Sequence, residues 1–264
     1  MKQTIHIESV VNARELGGYK NKEGKTIKHN LLLRTGKLNT CSTDDIDTLV
    51  NEYHLKKIFD FRGSSERMLE PDPEMKNVQN IWMPILDESN QDENNAAMRE
   101  LGSDMYKMFM FFIEKGFMQN MYVDMLSSRY AHQQYHNFLK EVIDCKEGAV
   151  LWHCSAGKDR TGLAALFLLT ILNVDENTIL EDYVLTNEYV EDLVDHRMQE
   201  FKERGCPEEY MKDVQTIDGV NLDYFKTGLN YIKENYGSVM DYIHNQLNIS
   251  EEDCEILRNR YLDE

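Results

Sequence analysis

The chain has 264 residues, 41% hydrophobic and 29% charged, a globular composition long enough for one large domain or two small ones. A formal net charge of −18 disfavours nucleic acid and anionic membrane surfaces as partners, because both select basic faces. No stretch reaches the ~18 apolar residues of a membrane span, and MKQTIHIESVVNAREL has no apolar signal-peptide core, so the expected location is cytoplasmic.

In chain order, residues 1–35 predict short strands. Ile5 and Ile7 alternate with polar residues, and Asn21-Lys22-Glu23-Gly24 signals a turn before Leu31-Leu32-Leu33. Thr43, Asp44 and Asp45 open a predicted helix running to Val50, with acid in its first turn. Residues 57–62 predict a strand, on which Asp60 and Arg62 share a face and pair as a brace. Residues 78–85 predict another strand; Asp87 stands just past its end, and 88–100 read as loop. Residues 101–126 are crowded with Met and aromatics, more apolar surface than one helix stripe needs. Core packing is the leading explanation, with a lid or lipid-facing helix as the rival.

Residues 130–145 then predict an amphipathic helix, and 148–152 a buried strand. The ten residues that follow, 153–162, read HCSAGKDRTG, and 163–172 are apolar enough for a buried helix. Strand, tight loop and helix N-terminus together point several backbone N–H groups at one spot, where the helix dipole favours an anion. Cys154 opens this loop and Arg160 follows six positions on, in surroundings that favour a thiolate. The arginine fork matches two oxygens of a phosphate, and Gly157 and Gly162 suit sharp bends and close approach. Further on, Asp175 and Glu176 begin a helix, Gly205-Cys206-Pro207 and Gly237-Ser238 interrupt the helical run, and Ser250 caps the last helix. The five cysteines (Cys41, Cys145, Cys154, Cys206, Cys254) form neither a disulfide framework nor a zinc pattern, so no metal or other cofactor is expected.

The HCSAGKDRTG loop resembles the signature of the cysteine-dependent tyrosine-phosphatase superfamily. Its Gly-Lys-Asp-Arg-Thr form is most similar to the bacterial group that includes the mycobacterial type B enzymes. Asn12-Ala13-Arg14-Glu15-Leu16-Gly17-Gly18, Leu33-Arg34-Thr35-Gly36-Lys37-Leu38 and Asp60-Phe61-Arg62-Gly63-Ser64-Ser65-Glu66-Arg67 resemble upstream motifs of the same group. Asp182-Tyr183-Val184-Leu185-Thr186-Asn187 resembles the segment after its loop. The resemblance covers most of the chain. It implies one phosphatase domain over 1–264, of α/β class, with a central mostly parallel sheet flanked by helices and a helical C-terminal half. The active loop is expected at the carboxyl end of its strand.

The reaction expected from this resemblance is two-step hydrolysis of a phosphate monoester. Cys154 attacks phosphorus to give a cysteinyl-phosphate that water then cleaves. Arg160 and the amides of Ser155, Ala156, Gly157, Lys158, Asp159 and Arg160 hold the equatorial oxygens. Thr161 offers its hydroxyl to the thiolate, His153 orders the loop, Lys158 adds charge at the rim, and Arg34, Asp60 and Arg62 support. Asp159 is the favoured general acid: a carboxylate beside a phosphate dianion is repelled towards its protonated form. Asp87 is the rival, because many cysteine phosphatases carry a separate acid loop past a strand end. The substrate implied is a phosphotyrosine protein, with phosphoserine/threonine or phosphoinositide as extensions. A non-catalytic phosphate-binding module and another Cys-x5-Arg enzyme, such as a sulfurtransferase, are the alternatives; the oligomeric state is open.

Overall fold

The strand ahead of the loop is β5 (Ala149–His153), and every residue in it is buried. That is the mark of a strand covered on both faces. In the computed structural model, which describes residues 4–88, 104–114 and 117–263, it is the middle strand of five. The others are β1 (Arg14–Glu15), β2 (Leu32–Thr35), β3 (Leu55–Asp60) and β4 (Gln79–Trp82), in the order β1-β2-β5-β3-β4. Only β1 runs antiparallel. Thr35 and Asp60 both align with His153, so β2, β5 and β3 end level with one another. The chain leaving β5 therefore emerges between the ends of its two neighbours.

The described helices are α1 (Thr43–Asn51), α2 (Ser64–Leu69), α3 (Met105–Glu114), α4 (Phe117–Ser127), α5 (Arg129–Asp144), α6 (Asp159–Ile171), α7 (Glu176–Tyr189), α8 (Glu191–Glu203), α9 (Met211–Asp218), α10 (Leu222–Tyr236), α11 (Val239–Asn245) and α12 (Glu251–Tyr261). Side-chain oxygens of Ser42, Ser128, Asp175, Asn221, Ser238 and Ser250 accept first-turn amides, so each of those helices starts at a capping residue. The α/β class with a helical second half is as expected, and three boundaries differ. Among the described residues, 4–35 hold only the short strands β1 and β2, with isolated bridges Thr4–Arg14, Lys20–Thr26 and Ile27–Leu262 beside them. The strand expected over 78–85 is shorter, Gln79–Trp82: the Met83 amide still reaches the Asp60 carbonyl of β3 (2.8 Å), but the Ile85 amide goes to Phe61 (3.3 Å), out of the regular register. Helix α6 begins at Asp159, four residues ahead of its apolar run, because loop residues form its first turn.

Alternate strand residues face opposite sides of the sheet. Val150 and Trp152 join Phe59, Phe61 and the buried faces of α4, α5, α6 and α10, while Ala149 and Leu151 join Ile58, Leu49 and Ile7. A third cluster, Ile113, Phe201, Met211 and Val214, unites α3, α8 and α9. Of the Met- and aromatic-rich stretch, Tyr122, Met125 and Leu126 lie in the main core and Ile113 in the third cluster. The expected loop at 88–100 falls, from 89 on, outside the described residues, as do parts of the 101–126 stretch. Among the described residues no helix is long and apolar enough to cross a membrane.

Candidate active site

The loop after β5 is held by its carbonyls. The Ser155 carbonyl accepts the Lys37 amide (3.0 Å), the Ala156 and Gly157 carbonyls accept Asn12 Nδ2 (3.0 and 2.8 Å), and Gly157 also accepts Arg34 Nη2 (3.0 Å). His153 Nδ1 lies 3.2 Å from the Cys154 carbonyl oxygen. In a trans peptide the C=O and the next N–H point in opposite directions. Carbonyls turned outward into the scaffold therefore turn the amides of residues 155–158 inward. Among the described residues, none of the amides of residues 155–160 has a hydrogen-bond acceptor. Gly157 makes the turn possible: its φ is +67°, and a Cβ there would stand 2.3 Å from the Thr35 carbonyl oxygen. The result is a ring of unused donors at the N-terminus of a buried helix, with Cys154 at its start.

Arg160 is aimed by a residue whose role its motif did not disclose. Glu66, in the first turn of α2, takes Arg160 Nη1 and Nη2 on its two oxygens at 2.7 and 2.9 Å. It also accepts the Ser155 hydroxyl and the Gly63 amide (2.8 Å). Burial alone would raise the Glu66 pKa, but these bonds, Arg160 first, bring it down to about 2. Burial works against the Arg160 charge, yet Glu66 first and then the nearby Cys154 hold its proton more firmly than usual. The Tyr135 hydroxyl and the Trp152 indole N–H donate to the Arg160 and Thr161 carbonyls (2.9 and 3.1 Å), fixing the helix turn that carries the guanidinium.

Two buried ionic clusters flank the loop. On the α7 side, Arg34 Nη1 and Arg14 Nε bond the two oxygens of Asp182 at 2.6 and 3.3 Å. Arg14 also reaches the Asp182 carbonyl (3.0 Å), Thr186 (3.1 Å) and Asn12. Burial and the neighbouring Arg14 lower Arg34 to about 10, opposed chiefly by Asp182. On the α2 side, Arg62 grips both oxygens of Asp60 (2.8 and 2.8 Å), Asp72 (2.8 Å) and the Glu70 carbonyl (2.7 Å). His153 Nε2 lies 3.0 Å from the other oxygen of Asp72. The expected Asp60–Arg62 brace is thus extended by Asp72. Ligand atoms of Asp60, Asp72 and His153 come within 4.8 Å of one another, but the Arg62 guanidinium already occupies the two carboxylates.

The remaining expected residues are placed as follows. The Thr161 hydroxyl is buried and has no hydrogen-bond partner among the described residues. Asp159 Oδ1 accepts the Tyr122 hydroxyl at 2.5 Å, and Oδ2 lies 3.4 Å from Lys158 Nζ. Lys158 corrects the expectation of charge at the rim: its ammonium turns inward onto the Thr216 and Gly219 carbonyls at the C-terminal end of α9, where unpaired carbonyls attract a cation. Asp87 lies past β4 near Tyr130, whose phenol is pushed up by burial and then by Asp87 and Glu88. Glu88, its neighbour, binds the Ser64 amide and hydroxyl (2.7 and 2.5 Å) at the start of α2.

Comparison with known proteins places the chain in a family. The chain is 26% identical over 266 residues to a Cupriavidus necator protein assigned by name to the tyrosine-protein phosphatases, covering 99% of this chain and 89% of that one. It is 32% identical over 103 residues to the triple specificity protein phosphatase PtpB of Mycobacterium tuberculosis, covering 36% of this chain and 37% of that protein. The crystal structure of P. aeruginosa TpbA aligns with 78% of this chain and 89% of its own at 15% identity and a TM-score of 0.32, too slight a likeness to argue from. Residues 5–263 match the model of the tyrosine phosphatase family, and the chain belongs to that family.

Proposed function

We propose that this chain, as one domain over residues 1–264, hydrolyses phosphotyrosine in proteins through a cysteinyl-phosphate intermediate. The observation that carries the proposal is the ring of acceptor-free amides beside Cys154, with Arg160 aimed by Glu66. Three phosphoryl oxygens need donors that are already in place when charge shifts towards them, and fixed amides and a guanidinium fork supply them without reorganisation. Cys154 attacks phosphorus in line with the departing phenolic oxygen, which takes a proton from a nearby acid. Asp159 is that acid, since it sits within the loop next to Arg160; Asp87 is the alternative. Water then cleaves the S–P bond, and the buried Thr161 hydroxyl is free to hydrogen-bond the departing thiolate. Phosphoserine/threonine and phosphoinositides are secondary substrates in this reading, supported by the name of the M. tuberculosis relative for the former and by the family resemblance for the latter.

The test is turnover of a phosphotyrosine peptide, a phosphoserine peptide and a phosphoinositide set by the wild-type protein and Cys154→Ser. Phosphotyrosine turnover that the substitution abolishes, with rapid acid quench trapping a phosphorylated wild-type protein, is the expected result. Substantial hydrolysis by Cys154→Ser would remove the nucleophile assignment.

A further inference from the structure

We propose that Tyr122 is a positioning residue for Asp159: its phenol captures one carboxylate oxygen and leaves the other to carry the transferred proton. The inference rests on Asp159 being the general acid. Tyr122 reaches the loop from α4, is fully buried, and donates to Asp159 Oδ1 at 2.5 Å; its oxygen lies 2.6 Å from the Tyr183 hydroxyl of α7.

Ring packing alone would hold Tyr122 in place. Its ring meets Phe225 and Tyr183 edge-on, at centroid distances of 5.5 and 6.2 Å, and Tyr183 stacks on Phe225 at 4.0 Å. Gly228 of α10 makes room for it, since a Cβ there would stand 2.8 Å from the Tyr122 Cβ. Two phenylalanines would fill the same space without burying hydroxyls, which are costly when unpaired. The hydroxyls are therefore what packing does not explain, and they end on the carboxylate inside the loop.

Each phenol has one proton, and this sets the direction of the chain. Tyr122 gives its hydrogen to Asp159, so its oxygen must accept from Tyr183, which has no other hydrogen-bond partner among the described residues. Burial and the nearby Asp159 carboxylate push both phenols well above their usual value, so both stay protonated donors throughout the working range. Oδ1 can then only accept, and an acidic proton resides on Oδ2. The other groups around Asp159 are Lys158, whose ammonium bonds the Thr216 and Gly219 carbonyls and lies 3.4 Å from Oδ2, Arg160 beside it, and Tyr135 of α5. In the first step Oδ2–H passes its proton to the leaving phenolate oxygen as the P–O bond breaks. In the second, the same oxygen takes a proton from the water that attacks the S–P bond.

The experiment measures kcat against pH for wild type, Tyr122→Phe, Tyr183→Phe and Asp159→Asn on phenyl phosphate (poor leaving group) and p-nitrophenyl phosphate (good leaving group). Tyr122→Phe is expected to slow phenyl phosphate roughly tenfold, short of the ~10²–10⁴ supplied by a general acid. It should barely affect p-nitrophenyl phosphate, whose leaving group departs without a proton. Tyr183→Phe should show the same leaving-group pattern to a smaller extent, and decides the matter if Tyr122→Phe does not fold. Native leaving-group dependence in both variants overturns the Tyr122 role while leaving Asp159 intact. If Asp159→Asn itself lacks leaving-group dependence, the acid assignment falls and the Tyr122 role with it.

Discussion

The two ionic clusters beside the signature loop differ in charge balance and in what they hold. On the α7 side two arginines share one carboxylate, and their spare donors grip loop carbonyls through Arg34 and Asn12. On the α2 side carboxylates predominate: Asp60, Asp72 and Glu66 face Arg62 and Arg160. The first cluster holds the shape of the backbone and leaves surplus positive charge near Cys154. The second holds a side chain, the Arg160 fork, through one glutamate. Loop shape and arginine aim are thus secured by different parts, and each can be damaged without the other.

The largest effect should come from Asp182→Asn. It leaves Arg14 and Arg34 buried without a counter-charge, and losing one member of a buried pair costs about 3–5 kcal/mol. Urea unfolding measures this, and a loss under 1 kcal/mol would remove the α7-side cluster as a structural anchor. Next is Glu66→Gln, which keeps the shape but loses the bidentate charge on Arg160. Because Glu66 lies partly in solvent, stability should shift little, while kcat should fall on the order of 100-fold through misaim of the guanidinium. If instead stability falls and kcat holds, the division between the two clusters is wrong. The smallest effect is in acid. The Glu66 pKa falls from 4.5 unfolded to about 2 folded, so its pairing contributes fully above 4.5 and is lost as pH drops towards 2. The stability gap between wild type and Glu66→Gln should be flat above that window and close within it.

Much of the α2-side brace was legible because it is local. Asp60 and Arg62 lie two apart on a strand, and alternation alone puts them on one face. The strand–loop–helix around Cys154 was legible for the same reason: each element shows in the composition of its own few residues. Partners far along the chain were not. Glu66 lies 94 positions from Arg160, and Asp182 lies 148 from Arg34, so nothing in their local patterns reveals the contact. Lys158 misled for the same reason: a lysine beside a tight loop reads as exposed, but the α9 terminus that receives it is 58 positions away. Tyr122 sat in a stretch so evenly apolar that periodicity could not single out its hydroxyl.

The chain's two tryptophans are placed as two separate optical reporters. Trp152 is fully buried, two residues before Cys154, and its indole N–H is bound to the Thr161 carbonyl. Trp82 ends β4 with 43% of its surface in solvent, beneath the Arg67 guanidinium and bonded to the Arg62 carbonyl. A water-borne quencher such as iodide reaches Trp82 and spares Trp152. The unquenched emission then follows the helix turn that carries Arg160, and the quenched share follows the outer edge of the sheet near α2. Oxyanion binding at the loop is thereby distinguishable from a change at its margin in one cuvette, without attaching a label.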